Sequence, residues 1–130
     1  QGLPQPITTL GKLAANGHKL YLKISNNTCI GLLKVGYKKL FVRNNQGVVI
    51  EMNPLSVLDF YVHESAQRGG HGKDLFDKML QTEGVEARKL AFDRPSPKLK
   101  SFLRKYFNLK DYVTQNNNYV VYDDYFSDHR

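Results

Sequence analysis

The sequence predicts a mixed α/β layer structure, and the order of its segments carries that prediction. β-prone segments dominate the first half of the chain, whereas the second half alternates strand, helix, strand, helix and strand. The chain has 130 residues, of which 41% are hydrophobic, with eight tyrosines and seven phenylalanines. A chain of this length and composition can close one packed core. We therefore expect a single domain over residues 1–130, truncated at its N-terminus.

The first 18 residues are rich in Gly, Pro, Thr and Ala, and we expect an irregular lead-in there. Lys19–Ile24 alternates apolar with polar side chains, which predicts a half-buried strand whose apolar face carries Leu20, Leu22 and Ile24. The polar residues 25–27 that follow predict a turn.

The next segments also favour strands. Cys29–Arg43 is a long β-prone stretch with Gly36 as a bulge or bend. Asn44–Gly47 predicts a hairpin loop, and Val48–Met52 returns as the partner strand. Leu55–Val62 is then expected to form an apolar strand.

The second half introduces helices. Four apolar residues recur at helical spacing from Lys73 onward. Ala87–Phe92 is short and apolar enough to form a buried strand. Ser96 as N-cap and Pro97 at the first helical position open a second helix. Asn118–Tyr125, which is rich in Val and Tyr, is expected to form the final strand.

The overall charge and composition limit the kinds of partner that the protein is expected to bind. The net charge of +7 favours acidic partners. The sequence has no aromatic RNA-binding signature and no zinc-finger spacing, so nucleic acid is not the expected partner. It has no apolar run of about 18 residues and no signal-peptide pattern, so no membrane is expected either. The single cysteine, Cys29, is expected in the core, and the four histidines lack metal-ligand spacing, so no metal is expected.

A glycine-rich loop, residues 67–72 (QRGGHG), lies between the strand Leu55–Val62 and the first helix. Glycines let backbone N–H groups approach an anion closely, and a helix N-terminus adds partial positive charge. Arg68 and Lys73 add full charges beside them. The loop therefore suits a pyrophosphate, although an ordinary strand-to-helix loop remains the alternative. Neither GxxxxGK[ST] nor GxGxxG fits its spacing.

The pattern Q/R-x-x-G-x-G/A in this loop, formed by Gln67, Gly70 and Gly72, resembles the acetyl-CoA pyrophosphate loop of the GCN5-related N-acetyltransferases. Four further segments resemble the α-tubulin N-acetyltransferase family within that superfamily, in the family's order: Gly31–Phe41, Pro54–Tyr61, Ala91–Pro97 and Gln115–Val121. The resemblance implies the GCN5-related N-acetyltransferase fold, a mixed, mostly antiparallel twisted sheet flanked by helices.

The resemblance also implies a reaction, direct transfer of acetyl from acetyl-CoA to a lumenal lysine of α-tubulin in microtubules. The expected protein is a monomer in the cytoplasm, on microtubules and in cilia and axonemes. A lysine amine with a pKa of ~10.4 must lose a proton before it attacks the thioester. Hydrogen-bond donors near the thioester oxygen would stabilise the charge that develops there.

Two catalytic positions follow from the resemblance. Asp93 matches the family's catalytic aspartate, with a loop carboxylate paired to Arg94 as the alternative. Ser56 stands where the family carries a cysteine, and a hydroxyl is a much weaker acid than a thiol with a pKa of ~8.5. We expect slow or absent turnover with cofactor binding retained. Two hypotheses stay open: an active enzyme with Ser56 as a weak helper, and an impaired form, natural or engineered, that still binds acetyl-CoA and microtubules.

Binding residues are implied by the same resemblance. Those for acetyl-CoA are Phe60, Tyr61, Val62, Gln67, Arg68, Gly69, Gly70, His71, Gly72, Lys73, Ser96, Lys98, Ser101, Phe102 and Lys105. Those for the tubulin substrate are Lys34, Lys38, Lys39, Arg94, Asn118, Tyr119 and Gln1. For the lysines of both sets, an ordinary solvated helix or strand face is the alternative.

Overall fold

The computed structural model describes the backbone of residues 7–13, 17–64, 70–115 and 117–127, and the side chains of the last three ranges. The chain divides into two compact units. The first consists of Gln1–Val35 and Asp59–Gly84, and the second of Gly36–Leu58 and Val85–Arg130. Within the described ranges, no helix is both long and apolar enough to span a membrane.

The described residues form strands and two α-helices. The strands are β1 (Ile7–Leu13), β2 (Lys19–Ser25), β3 (Thr28–Tyr37), β4 (Leu40–Arg43), β5 (Val49–Met52), β6 (Leu55–Val62), β7 (Ala91–Asp93), β8 (Tyr112–Thr114) and β9 (Tyr119–Tyr122). The helices are α1 (His71–Glu83) and α2 (Pro97–Phe107). Two short 3₁₀ turns occupy Ala87–Lys89 and Asp123–Phe126.

The first unit has the hydrogen-bonded strand order β1-β2-β3-β6, in which β1–β2 and β2–β3 are antiparallel. Helix α1 packs on this sheet, where Gly31 of β3 lets Leu75 approach closely: a Cβ at Gly31 would lie 3.2 Å from Leu75 Cδ2. The predicted turn after β2 is confirmed, and it uses Asn26 and Asn27 with φ of 54° and 63°. Asparagine tolerates this left-handed conformation better than most residues.

Two predictions for the first unit are wrong. The expected irregular lead-in contains β1, whose strand pattern is interrupted by Gly11 but which pairs with β2 along its whole length. In β2 the more deeply buried face carries Tyr21 and Lys23, whereas the face with Leu20, Leu22 and Ile24 is only half-buried. The face with Tyr21 and Lys23 can be buried because α1 supplies partners for the polar ends of its side chains.

Those partners are carboxylates. Lys23 Nζ lies 3.0 Å from Asp74 Oδ2, and Lys19 Nζ lies 3.1 Å from Glu83 Oε2. The Tyr21 hydroxyl donates to the same Glu83. A buried polar side chain that is paired avoids most of the free-energy cost of its desolvation. The alternation of apolar and polar residues therefore predicted the wrong face of β2 as the buried one.

The second unit has the order β6-β7-β9-β8, in which β6–β7 is parallel and the other two pairs are antiparallel. The hairpin β4–β5 forms a separate two-stranded sheet, as its loop predicted. Leu40 and Val42 of the hairpin pack with Ala91 and Val121 of the larger sheet. Together the units give an α/β fold with a mixed, mostly antiparallel sheet and two helices, which confirms the predicted fold class.

Several boundaries in the second unit differ from the predictions. Ala87–Lys89 is a 3₁₀ turn, so only the end of the predicted strand pairs with its neighbours. The predicted final strand stops at Tyr122, and β8 was missed because three residues are too few for a period to show. Cys29, expected in the core, is exposed.

Candidate active site

Asp93 and Ser56, the two predicted catalytic residues, lie on one face of the sheet in the second unit. Ser56 pairs with Ala91, and Asp93 pairs with Tyr119. Paired residues share a face, and alternate residues along a strand return to it. Ser56, Ala91, Asp93, Tyr119 and Val121 therefore form one surface, which we call the hairpin face because Leu40 and Val42 of the hairpin pack on it.

Ser56 is fully buried on this face, with 0% of its surface exposed. Its hydroxyl donates to the main-chain carbonyl oxygen of Pro54 over 3.2 Å. The main-chain N–H of Lys38 donates to the same carbonyl, also over 3.2 Å. The hydroxyl proton is thus engaged, and the Ser56 oxygen can act on this face only as a hydrogen-bond acceptor while that contact holds.

Asp93 ends β7 with a side chain that is 22% exposed. Its Oδ1 accepts from Arg94 Nε over 3.2 Å, so the ion pair weighed as the alternative to catalysis is present. The Arg94 side chain is itself 73% exposed, and such a pair contributes little to stability. A partly exposed carboxylate with one exposed partner is compatible with both interpretations.

The residue after Asp93 and the residue before its strand partner Tyr119 both have an unusual backbone conformation. Arg94 has φ of 45° and Asn118 has φ of 67°, both in the left-handed region. The Arg94 N–H donates to the Asn118 carbonyl oxygen over 3.1 Å, which links the two positions. Non-glycine residues held in this region carry local strain, and such residues are enriched at functional sites.

Tyr119 lies directly opposite Asp93 in the sheet. Burial raises the pKa of its phenol, and the negative charge of Asp93 raises this pKa further, while Arg94 acts in the opposite sense. The phenol therefore keeps its proton at neutral pH and can donate a hydrogen bond on the hairpin face.

The glycine loop is described only at its C-terminal end, in the first unit. Gln67, Arg68 and Gly69 lie outside the described residues. Gly70, the N-cap residue of α1, has φ of 76° and, as a glycine, offers no capping side chain of its own. His71 Nδ1 is buried and has no hydrogen-bond partner among the residues described. The main-chain N–H groups of the first helical turn and this ring nitrogen fit an anionic ligand at this end of α1.

The other residues of the first unit that were predicted to bind acetyl-CoA differ in their exposure and in their contacts. Lys73 Nζ lies 2.6 Å from Asp77 Oδ2 within α1, and Gly72 is buried. On β6, Phe60 packs edge-on against Phe76 at 5.7 Å between ring centroids. Tyr61 is exposed, and Val62 is half-buried.

The second predicted cofactor segment forms α2 in the second unit. Ser96 caps the helix, since its Oγ accepts from the Leu99 N–H over 3.1 Å, as the sequence predicted. Lys98, Ser101 and Lys105 are exposed. Phe102 is half-buried and contacts other aromatic rings of the helix.

The predicted tubulin-binding lysines fall at the end of β3 and just before β4. Lys34 and Lys38 are half-buried, and Lys39 is exposed. Lys39 Nζ lies 3.0 Å from Glu51 Oε2 of the hairpin, an exposed ion pair. Gln1 lies outside the described residues.

Comparison with known proteins identifies the family. The model of the family described as GNAT acetyltransferase, Mec-17 matches residues 1–130. The chain belongs to this Mec-17 acetyltransferase family.

Relatives of this Mec-17 member include two curated proteins. The chain is 53% identical over 126 residues to the α-tubulin N-acetyltransferase of Tetrahymena thermophila, covering 97% of this chain and 32% of that protein. It is 49% identical over 132 residues to α-tubulin N-acetyltransferase 1 of Danio rerio, covering 97% of this chain and 44% of that protein. The chain thus spans less than half the length of either relative.

Solved structures share the fold of this Mec-17 member at low identity. One is the xEco2 acetyltransferase domain bound to a CoA conjugate, with a TM-score of 0.54 and 16% identity. The alignment covers 81% of this chain and 68% of that one. This likeness supports the fold alone.

One polar residue of this Mec-17 member was missed by the sequence reasoning. Gln115 is buried, and its side chain bonds to the main chain of Arg43 in the hairpin. Gln115 begins a run of amide residues that reads as an ordinary polar loop, so hydropathy gave no signal for its burial.

Proposed function

We propose that this chain is the catalytic part of an acetyl-CoA-dependent lysine N-acetyltransferase that acts on α-tubulin in microtubules. The main observation behind the proposal is that Asp93 has a partly exposed carboxylate on the hairpin face, which it shares with Ser56 and Tyr119. Membership of the Mec-17 family and the names of the relatives support the activity and the tubulin substrate. The location that we propose with this substrate is cytoplasmic, on microtubules and in cilia and axonemes.

Asp93 has the chemistry to accept the proton of the attacking amine. A lysine amine with a pKa of ~10.4 is protonated at neutral pH, so a base must take its proton for attack to occur. Arg94 holds one carboxylate oxygen of Asp93 through Nε and so orients the group. Bound acetyl-CoA would supply the acyl group as a thioester.

Acetyl-CoA binding is supported at two separate places. At the start of α1, the main-chain N–H groups of the first turn and His71 Nδ1 suit the pyrophosphate, with Gln67–Gly69 preceding them in the chain. On α2, Lys98 and Lys105 present exposed positive charges that suit the remaining phosphate. Lys34 in the first unit, and Lys38 and Lys39 in the second, are positive charges that suit the acidic partner favoured by the net charge of +7.

A second candidate function is an impaired form that binds acetyl-CoA and microtubules with little turnover. The geometry of Ser56 favours it, because the hydroxyl is fully buried and donates to Pro54. A serine in this state neither ionises near neutral pH nor releases a proton readily, whereas a cysteine thiol does so more easily. On this hypothesis Asp93 alone carries any proton transfer that remains.

One experiment separates the two candidates. Acetyl-CoA binding is measured by calorimetry, and acetylation of polymerised tubulin is followed in parallel for the unsubstituted chain, called the natural chain below, and for Ser56→Cys. We expect equal acetyl-CoA affinity for both chains, with at least about tenfold faster acetylation by Ser56→Cys. Equal rates would reject the idea that Ser56 limits the chemistry. Failure of both chains to bind acetyl-CoA would reject the proposed function.

A further inference from the structure

Gln115 connects the β4–β5 hairpin to the sheet through its side chain. The residue is 5% exposed. Its Oε1 accepts from the Arg43 N–H over 2.7 Å, and its Nε2 donates to the Arg43 carbonyl oxygen over 2.9 Å. These two bonds reproduce the exchange that a residue on a neighbouring antiparallel strand would make with Arg43. A third bond runs from Nε2 to the Val113 carbonyl oxygen over 3.1 Å.

The main chain of Gln115 closes the turn that precedes β9. Its N–H donates to the Tyr119 carbonyl oxygen, and its own carbonyl oxygen accepts from the Asn118 N–H, each over 3.2 Å. The Asn118 carbonyl oxygen in turn accepts from the Arg94 N–H. One residue therefore contacts the hairpin through its carboxamide and the turn beside Asp93 through its backbone.

We propose that Gln115 is a positioning residue, which fixes the hairpin and the lysines beside it relative to the turn that carries Asn118 and Tyr119. This inference rests on the proposed function, because it assigns Lys38 and Lys39 and the turn with Asn118 and Tyr119 to the same tubulin substrate. Lys38 and Lys39 immediately precede β4, and Lys39 pairs with Glu51 of β5, so a shift of the hairpin moves these positive charges.

The hairpin has a second attachment that does not need Gln115. Leu40 and Val42 stay packed with Ala91 and Val121 when the carboxamide is removed. Gln115→Leu keeps a side chain of similar size but leaves the Arg43 N–H and C=O without their partners. We therefore expect the fold to persist while the hairpin is held less firmly at Arg43.

The test uses Gln115→Leu with Gln46→Leu as a control, since Gln46 is an exposed glutamine in the loop of the same hairpin. Hydrogen exchange of the Arg43 amide reports the attachment directly. Co-sedimentation gives the Kd for microtubules, and calorimetry gives the Kd for acetyl-CoA. For Gln115→Leu we expect about tenfold faster Arg43 exchange and about tenfold weaker microtubule binding. We expect the acetyl-CoA Kd to stay within about twofold, and Gln46→Leu to match the natural chain in all three.

The outcomes are distinguishable from failure of the proposed function. If the natural chain does not bind microtubules, the proposed substrate is wrong and the inference falls with it. If the natural chain binds and Gln115→Leu binds equally well, the positioning role is wrong while the proposed function stands. A parallel loss of acetyl-CoA affinity in Gln115→Leu would indicate general structural damage and would also overturn the inference.

Discussion

The main-chain N–H of Arg94 donates to the carbonyl oxygen of Asn118 over 3.1 Å, and both residues have positive φ. The bond extends the pairing of β7 with β9 one step beyond Asp93 and Tyr119. It joins two residues in the left-handed conformation. One directly follows β7, which carries the candidate base Asp93, and the other directly precedes β9. For most residues this conformation costs about 1–2 kcal/mol, and asparagine tolerates it better than arginine does.

The conformation of Asn118 gives a first prediction. Asn118→Gly removes the side chain but keeps the left-handed conformation at little cost, whereas Asn118→Val places a β-branched residue there. In urea unfolding we expect Asn118→Val to lose about 1–2 kcal/mol and Asn118→Gly to stay within about 0.5 kcal/mol of the natural chain. Equal stability of the two variants would mean that the turn does not require positive φ at this position.

The buried end of Lys23 gives a second prediction. Its side chain is 6% exposed and pairs with Asp74, which is 71% exposed. Asp74→Asn leaves a buried ammonium without its carboxylate, and we expect a loss of about 1–3 kcal/mol in the free energy of unfolding. Lys23→Met replaces the charge by an apolar chain of similar size and is expected to cost less than about 1 kcal/mol.

The control for that prediction is the exposed pair Lys39–Glu51, whose side chains are 68% and 54% exposed. Glu51→Gln should change the free energy of unfolding by less than about 1 kcal/mol. A loss in Asp74→Asn no larger than that in Glu51→Gln would contradict the claim that α1 is attached to β2 through a buried charge.

The contact between β3 and α1 gives a third prediction. Gly31→Ala adds a Cβ 3.2 Å from Leu75 Cδ2, closer than ordinary van der Waals contact. We expect a loss of about 1–3 kcal/mol, because a packed core resists added volume. Combined with Leu75→Ala, the same change should cost markedly less than it does alone, since the clashing methyl group is gone. Strict additivity of the two substitutions in urea unfolding would argue against this contact.

Tyr122 gives a prediction for alkaline pH. Burial raises the pKa of its phenol to about 12, with the nearby Tyr112 phenol adding to the effect and Arg104 opposing it. The unfolded chain ionises first, at a pKa of about 10, so this contribution to stability is intact below about pH 10 and is lost as pH rises toward about 12. Tyr122→Phe should flatten the fall in the free energy of unfolding over that range.

The control for Tyr122→Phe is Tyr37→Phe, at an exposed tyrosine. Urea unfolding of both variants and of the natural chain is measured at several pH values up to the alkaline limit of the native state. The same slope in Tyr122→Phe as in the natural chain would exclude this phenol as a source of the alkaline loss.

Local chemistry in the sequence predicted the elements whose signals are short-range. The Ser96-Pro97 start of α2, the Asn-rich turn after β2 and the loop of the β4–β5 hairpin all follow from backbone preferences of a few adjacent residues. The bounds of β6 were predicted to the residue, because a largely apolar segment, interrupted by Ser56 and Asp59, lies there between Pro54 and the polar residues after Val62.

Elements that depend on distant partners could not be predicted in this way. β1 exists through its pairing with β2, and the burial of Lys23 depends on a carboxylate that lies 51 positions later in the chain. Gln115 is buried because a hairpin 72 positions earlier offers both of its backbone groups. The residues of the candidate site came from the family resemblance, and their roles remain proposals.

The central claim is that Asp93 accepts the proton of the attacking lysine. The most direct test compares the rate of tubulin acetylation by the natural chain with that by Asp93→Asn at saturating acetyl-CoA, with acetyl-CoA affinity measured for both. Asp93→Asn keeps the size of the side chain and can still accept from Arg94, so the local structure should survive. We predict at least about a hundredfold loss of rate with unchanged acetyl-CoA affinity. A rate within about twofold of the natural chain would contradict the account and leave Asp93 as an ordinary loop carboxylate.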